Sequence, residues 1–170
     1  MHPVLRELVT TSAQKLFEHY DLPVEVEETH GSRALHHYAG VLGFTGEGIK
    51  GTIVVSANGQ AVAATFPDGG SQQDREDWVG ELCNQLLGRV ANKVLAYGIS
   101  VRMSTPVSFS GTELNLQDQS KDSSSASWSL RGPGEAELSV HLTAEVEPHV
   151  TWESTESAEE APEEGDLMLF

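Results

Sequence analysis

Between positions 136 and 146 every second residue is apolar: Ala136, Leu138, Val140, Leu142, Ala144 and Val146. Side chains alternate across a strand, so such a run has one face that must be buried and one that tolerates water. This is the habit of an antiparallel sheet covered on one side. Shorter alternations recur at Ala126, Trp128 and Leu130, and at Val101, Met103, Val107 and Phe109. Residues 34–44 and 49–56 are rich in β-branched and aromatic residues and flank Gly46-Glu47-Gly48, which predicts a β-hairpin.

Other segments follow a helical period. From 4 to 20 the apolar residues Val4, Leu5, Leu8, Val9, Ala13, Leu16 and Phe17 recur at three- and four-residue steps, and Asp21-Leu22-Pro23 stops the run. Asn58 is a natural cap for a short Ala-rich helix ending before the turn signal at 67–70. The longest helical signal spans 74–97, with acidic residues in its first turn and Gly98 as its stop. Two long helices on a mostly antiparallel sheet make an α+β domain. Residues 1–147 are assigned to it, and 120–125 read as a polar loop. The acid-rich stretch 148–170 is expected to be a disordered tail, because it has too little apolar surface to offset its ordering entropy.

Charge narrows the partners. The chain carries 10 Lys+Arg against 26 Asp+Glu, a formal charge of −16, and a field of that sign disfavours nucleic acid and acidic membranes. Seven acidic residues (Glu153, Glu156, Glu159, Glu160, Glu163, Glu164 and Asp166) fall in the tail without a Lys or Arg. A single cysteine, Cys83, forms no internal disulfide, and the N-terminus lacks a basic region followed by an apolar run. A cytoplasmic location is expected, and no apolar stretch approaches the roughly 20 residues of a membrane span.

The long helix sorts its residues sharply at about 100° per step. Trp78, Val79, Leu82, Cys83, Leu86, Leu87, Val90 and Val94 share one broad side, while Asp77, Glu81, Asn84 and Gly88 form a narrow stripe opposite. The stripe spacing of i, i+4, i+7, i+11 sets the Glu81 carboxylate beside the Asn84 carboxamide on adjacent turns. Gly88 adds no side chain and leaves room for close approach. A mid-helix Gly costs about 1 kcal/mol relative to Ala, so a packing or access reason is expected. An ordinary solvated face with a packing glycine would also produce this pattern.

This stretch resembles the CheC/CheX/FliY phosphatase family, whose signature is Asp or Ser, three residues, Glu, two residues, Asn and, further on, Pro. The matching residues are Asp77, Glu81, Asn84 and Pro106, with 21 residues between the last two, a gap slightly different from the family pattern. Gly88 fits the glycine that commonly follows the Asn, and Ser104-Thr105-Pro106-Val107 resembles the family's next strand. The order of elements is similar too, and a single copy of the motif makes the likeness closest to CheX.

The resemblance implies a phosphatase acting on the phosphoaspartate of a CheY-like response regulator, with Asn84 orienting the attacking water and Glu81 contacting the regulator's lysine. Asp77, Gly88 and Pro106 would support this pair. It also implies a homodimer joined through sheet edges, Mg2+ supplied by the regulator and no cofactor of the chain's own. The alternative within the same fold is a non-catalytic adaptor whose stripe is a docking face for a receiver domain.

Other constellations carry less. His36 and His37 are adjacent on an expected strand and point to opposite faces, so they do not chelate together. His30, His141 and His149 lack partners at ligand spacing. Cys83 falls on the apolar side of its helix, where a small core residue is expected rather than a nucleophile. The glycines of 40–51 do not form a phosphate loop, and no Gly-x-Ser-x-Gly elbow is present. The chain ends in Leu167-Met168-Leu169-Phe170 after its acidic run. This is read either as a solubilising terminus or as a docking peptide on a tether, resembling the tail by which the unrelated phosphatase CheZ holds CheY; short terminal motifs of this sort also bind other partners, including sliding clamps.

Overall fold

The computed structural model describes residues 1–29, 36–66, 70–114 and 124–153. His30, most of the turn signal at 67–70, most of the polar loop at 120–125, the first residues of the expected strand at 34–44 and the chain end from 154 lie outside these residues.

Helix α1 (Pro3–His19) begins with Pro at its first position, where no intrahelical N–H is needed. It buries Leu5, Val9, Ala13, Leu16 and Phe17. Tyr20 caps it, and Asp21 turns the chain out in the left-handed region at φ 55°. Strand β1 (Glu25–Thr29) follows, then β2 (His36–Gly46), β3 (Ile49–Ala57), α2 (Gly59–Thr65), α3 (Gln72–Val94), a single 3-10 turn (Leu95–Tyr97), β4 (Val101–Met103), β5 (Val107–Leu114), β6 (Ser125–Arg131) and β7 (Glu137–Val146). The strands form one antiparallel sheet in the order β1-β6-β7-β3-β2, with β4 and β5 both paired to the outer side of β2. The architecture is α+β, with the helices packed on the sheet.

The alternation in β7 sets the core. Leu138, Val140, Leu142 and Ala144 are buried, and Val140 stands between Val55 of β3 and Trp128 of β6, with Leu142 between Ile53 and Ala126. Against this layer α3 lays Val79, Leu82, Cys83, Leu86, Leu87, Val90 and Val94, and α1 closes the other flank. At about 25 cal/mol per Å² of apolar surface, this continuous core is the main force holding α3 in place.

The structure departs from the sequence reading in three places. Strand β1 carries three glutamates in five residues, and Glu is a poor strand former, so alternation could not reveal it. It forms because its backbone pairs with β6, from Glu25↔Arg131 to Thr29↔Ser127, and an ion pair from Arg6 to Glu28 ties it to α1. The strand expected over Val101 to Phe109 is two strands, broken at Ser104-Thr105-Pro106, since proline donates no ladder hydrogen bond. Its apolar side is also turned outward: Val107 is 64% and Phe109 38% exposed, while Ser108 and Ser110 face α3. As an edge strand, β5 is held by backbone pairing to β2 and by polar bonds to the helix, so burial of its apolar side is not required.

A candidate phosphatase ridge on the long helix

The N-terminus of α3 is fixed by a reciprocal cap two residues earlier than the sequence period marked. Ser71 Oγ accepts from the Asp74 amide at 3.2 Å, and Asp74 Oδ2 accepts from the Ser71 amide at 2.8 Å. The bonds from Ser71 hold the Asp74 carboxyl below the usual carboxylate range. At the other end the helix tightens into the 3-10 turn, and Gly98 leaves it at φ 71°, a conformation favouring glycine.

Two glycines decide how α3 sits on the sheet, and the sequence pattern signalled neither. A Cβ on Gly40 of β2 would stand 2.8 Å from the Val79 carbonyl oxygen and 2.9 Å from Gly80 Cα. A Cβ on Gly80 would stand 3.3 Å from Ser108 Cβ and 3.8 Å from Pro106 Cβ. Helix and sheet backbones therefore approach closely at the turn just before Glu81. Polar bonds extend this seam toward the helix start: Ser110 Oγ donates to Glu76 Oε2 at 2.7 Å and accepts from Gln72 Nε2 at 3.1 Å.

On the outward side, Asp77 and Glu81 are exposed and Asn84 and Gly88 partly so. Asp77 accepts from Gln73 Nε2 at 3.1 Å, a bond within the helix surface. Glu81 Oε1 accepts from Gln85 Nε2 at 2.9 Å, and Gln85 Oε1 accepts from the Tyr20 hydroxyl at 2.7 Å. The Asn84 carboxamide has no hydrogen-bond partner among the described residues. A Cβ on Gly88 would meet nothing within 4 Å, so this glycine serves no packing among the described residues. Pro106 lies between β4 and β5, where its Cβ would be 3.8 Å from a Cβ on Gly80, the residue before Glu81.

The remaining candidates are structural in their surroundings. Cys83 is buried against the Ile53 carbonyl, and burial pushes its thiol up to about 12, where no useful thiolate exists. His36 is buried and His37 exposed. His36 Nδ1 lies 2.5 Å from Ser56 Oγ, while His141 bonds Ser127 and Thr143. Among the described residues no three His, Cys, Asp or Glu gather closely enough to hold a metal ion, and no helix is long and apolar enough to cross a membrane. An apolar cavity between α1, α3 and the sheet, lined by Leu5, Val9, Phe44, Leu87 and Val90, does not reach Glu81 or Asn84. A surface depression at Pro23, Glu25 and Arg131 does not reach them either.

The ridge thus offers a carboxylate able to meet a cation and, one turn away, an amide able to donate and accept at once. Both stand on a helix clamped by core packing on its other side.

Comparison with known proteins identifies the fold and the family. No curated protein matches the chain in sequence. Among solved structures, a CheC-like superfamily protein from Shewanella sp. PV-4 superposes with a TM-score of 0.70 at 16% identity, covering 85% of this chain and 99% of its own. CheX from Vibrio vulnificus gives 0.71 at 16% identity, covering 83% and 99%. The CheX in a CheX–CheY–BeF3–Mg2+ complex from Borrelia burgdorferi gives 0.63 at 14% identity, covering 81% and 96%. At such identities these likenesses establish the fold. The family model described as chemotaxis phosphatase CheX matches residues 38–131, which run from β2 to β6 and include the whole ridge and Pro106. The chain belongs to the CheX family of chemotaxis phosphatases.

Proposed function

We propose that the protein hydrolyses the aspartyl phosphate of a CheY-like response regulator by placing the α3 ridge over the regulator's active site. The observation that carries this reading is the carboxamide of Asn84, unpartnered among the described residues, beside the exposed carboxylate of Glu81 on the outward side of α3. A ridge of this kind is suited to completing another protein's pocket. The Borrelia burgdorferi CheX was crystallised with CheY, BeF3 and Mg2+, which supports a receiver-domain partner and magnesium in the joint site.

A phosphoaspartate is an acyl phosphate. Water attacks phosphorus in line, the bond from phosphorus to the aspartyl oxygen breaks, and the products are free aspartate and inorganic phosphate. The regulator's magnesium and lysine would offset charge on the phosphoryl oxygens. What remains to be supplied is an ordered nucleophile. Asn84 Oδ1 accepts a hydrogen of the water and leaves a lone pair aimed at phosphorus, and the amide does not titrate near neutral pH. Glu81 forms a charge-assisted contact with the regulator's lysine and sets the register of the helix. Gly88 lets the partner approach the helix backbone, Asp77 caps the line of the ridge, and Pro106 backs it through Gly80.

The same reading includes a homodimer joined at sheet edges and a tail, residues 148–170, whose acidic part beyond Glu153 tethers the terminal Leu167-Met168-Leu169-Phe170 as a docking peptide. Trp152 pins the start of that tail, stacked on His2 at 4.8 Å and beside Tyr97 at 5.5 Å. Removing residues 163–170 should raise the apparent KM for the regulator and spare the maximal rate.

The deciding experiment is loss of label from phosphorylated receiver domains in magnesium, with and without the protein. Stimulated loss that disappears in Asn84→Ala, with binding retained, is the expected result. Binding without stimulation by the unaltered protein would make it an adaptor, and a fully active Asn84→Ala would refute the role given to the amide.

A further inference from the structure

We infer that Gln85 and Tyr20 are positioning residues for Glu81: a hydrogen-bonded chain from the end of α1 holds the carboxylate in the pose from which it meets the partner's cation. This rests on the function proposed above and adds two residues that no motif marks.

Gln85 stands one turn beyond Glu81, on the side of the ridge that faces α1. Its amide nitrogen donates to Glu81 Oε1 at 2.9 Å, and its carbonyl accepts from the Tyr20 hydroxyl at 2.7 Å. The direction of the chain follows from its last member. An ionised carboxylate only accepts, so the NH2 end of Gln85 must face it, the carbonyl end must face Tyr20, and the phenol must donate. Reversing the amide would set its oxygen against the carboxylate.

The start of the chain is rigid. Tyr20 caps α1 and meets Trp78 edge-on, with ring centroids 5.4 Å apart and planes at 80°. Trp78 in turn donates from Nε1 to Thr65 Oγ1 at 3.1 Å and packs against Phe66 at 5.7 Å. Trp78 precedes Glu81 by three residues, so this aromatic cluster flanks the same turn of α3 as the carboxylate. An isolated i, i+4 pair on a helix biases a rotamer only about twofold. Anchoring Gln85 from a second helix removes the freedom that makes such pairs weak. Glu81 Oε2 has no partner among the described residues and remains available for an incoming ammonium group. A carboxylate already ordered loses less freedom when the partner docks.

The test is steady-state hydrolysis, by the full chain, of a CheY-like receiver domain phosphorylated with acetyl phosphate in magnesium. The variants are Tyr20→Phe, Gln85→Met, Glu81→Ala and the double variant Gln85→Met/Glu81→Ala. Removing a hydrogen bond to a charged group should raise the apparent KM of Gln85→Met roughly fivefold, with the maximal rate within about twofold. Tyr20→Phe keeps the ring against Trp78 and should raise KM in the same direction by about twofold. On the Glu81→Ala background, Gln85→Met should add nothing, since its effect passes through Glu81. An unchanged KM in Gln85→Met alongside an impaired Glu81→Ala would overturn the inference and leave the proposed function standing, as would losses that add in the double variant. Full activity in Glu81→Ala would overturn the inference together with the role given to Glu81, while the hydrolysis itself would stand.

Discussion

Gly80 and Gly88 sit eight residues apart on α3, yet a Cβ on Gly80 would come within 3.3 Å of Ser108 and one on Gly88 would meet nothing within 4 Å. The first belongs to the seam where helix and sheet backbones touch through Gly40, and the second to the ridge that faces outward. Both cost the helix about the same intrinsic stability, about 1 kcal/mol relative to Ala. In the seam, a side chain on Gly40 would press on the helix backbone; on the ridge, the described residues give no reason for the missing Cβ. Seam and ridge therefore differ in surroundings: one is packed within the fold, and the other is the open face proposed above to meet the regulator.

The comparison is broken most directly by exchanging what the two regions control. Asn84→Ala on the ridge should lower the stimulated dephosphorylation rate by about a hundredfold to a thousandfold, the share of the barrier that orienting a water can supply. Its midpoint in urea should stay at the parental value, because Asn84 has no hydrogen-bond partner among the described residues. A large loss of stability in this variant would move Asn84 from the ridge to the fold.

The strand that carries Gly40 offers a second measurement. Burial first, and the neighbouring His37 second, lower the His36 pKa from 6.5 to about 4. Because the unfolded chain takes up this proton first, the stability from keeping His36 neutral is complete above about pH 6.5 and lost as pH falls toward about 4. The total is on the order of 3 kcal/mol. Urea titrations across that window should show this slope in the parent and lose it in His36→Gln. A slope that survives the substitution assigns the acid sensitivity to other groups.

Gly40→Ala should cost about 2 kcal/mol, since the new methyl meets backbone atoms that cannot rotate away. Its activity should also fall, through displacement of α3. The smallest effect sharpens the contrast most: Gly88→Ala should raise stability by about 1 kcal/mol and still weaken binding to the regulator. If Gly88→Ala were destabilising, the ridge would be packed and the comparison with Gly80 would fail.

Much of this molecule was legible along the chain. The i, i+4, i+7, i+11 stripe placed Asp77, Glu81, Asn84 and Gly88 on the outward side of a helix whose other side is apolar. Helical phase is a local property, and burying the residues from Val79 to Val94 leaves the stripe no other direction. Phase misled at β5. There the alternation of Val107 and Phe109 with serines was real, but which side faces the helix was settled by Ser108 and Ser110 meeting α3.

By itself, the sequence determined the kinds and order of the elements apart from β1 and the break between β4 and β5, the antiparallel habit of the sheet and the polar stripe, because each is written in the periodicity of neighbouring residues. Tertiary structure alone decided that glutamate-rich β1 is a strand, that Gly40 meets Gly80, and that Tyr20 reaches Glu81 through Gln85. Each of these joins positions far apart in the chain through backbone pairing, close approach or hydrogen bonding. Such contacts leave no local period and become visible only when the core has brought the elements together.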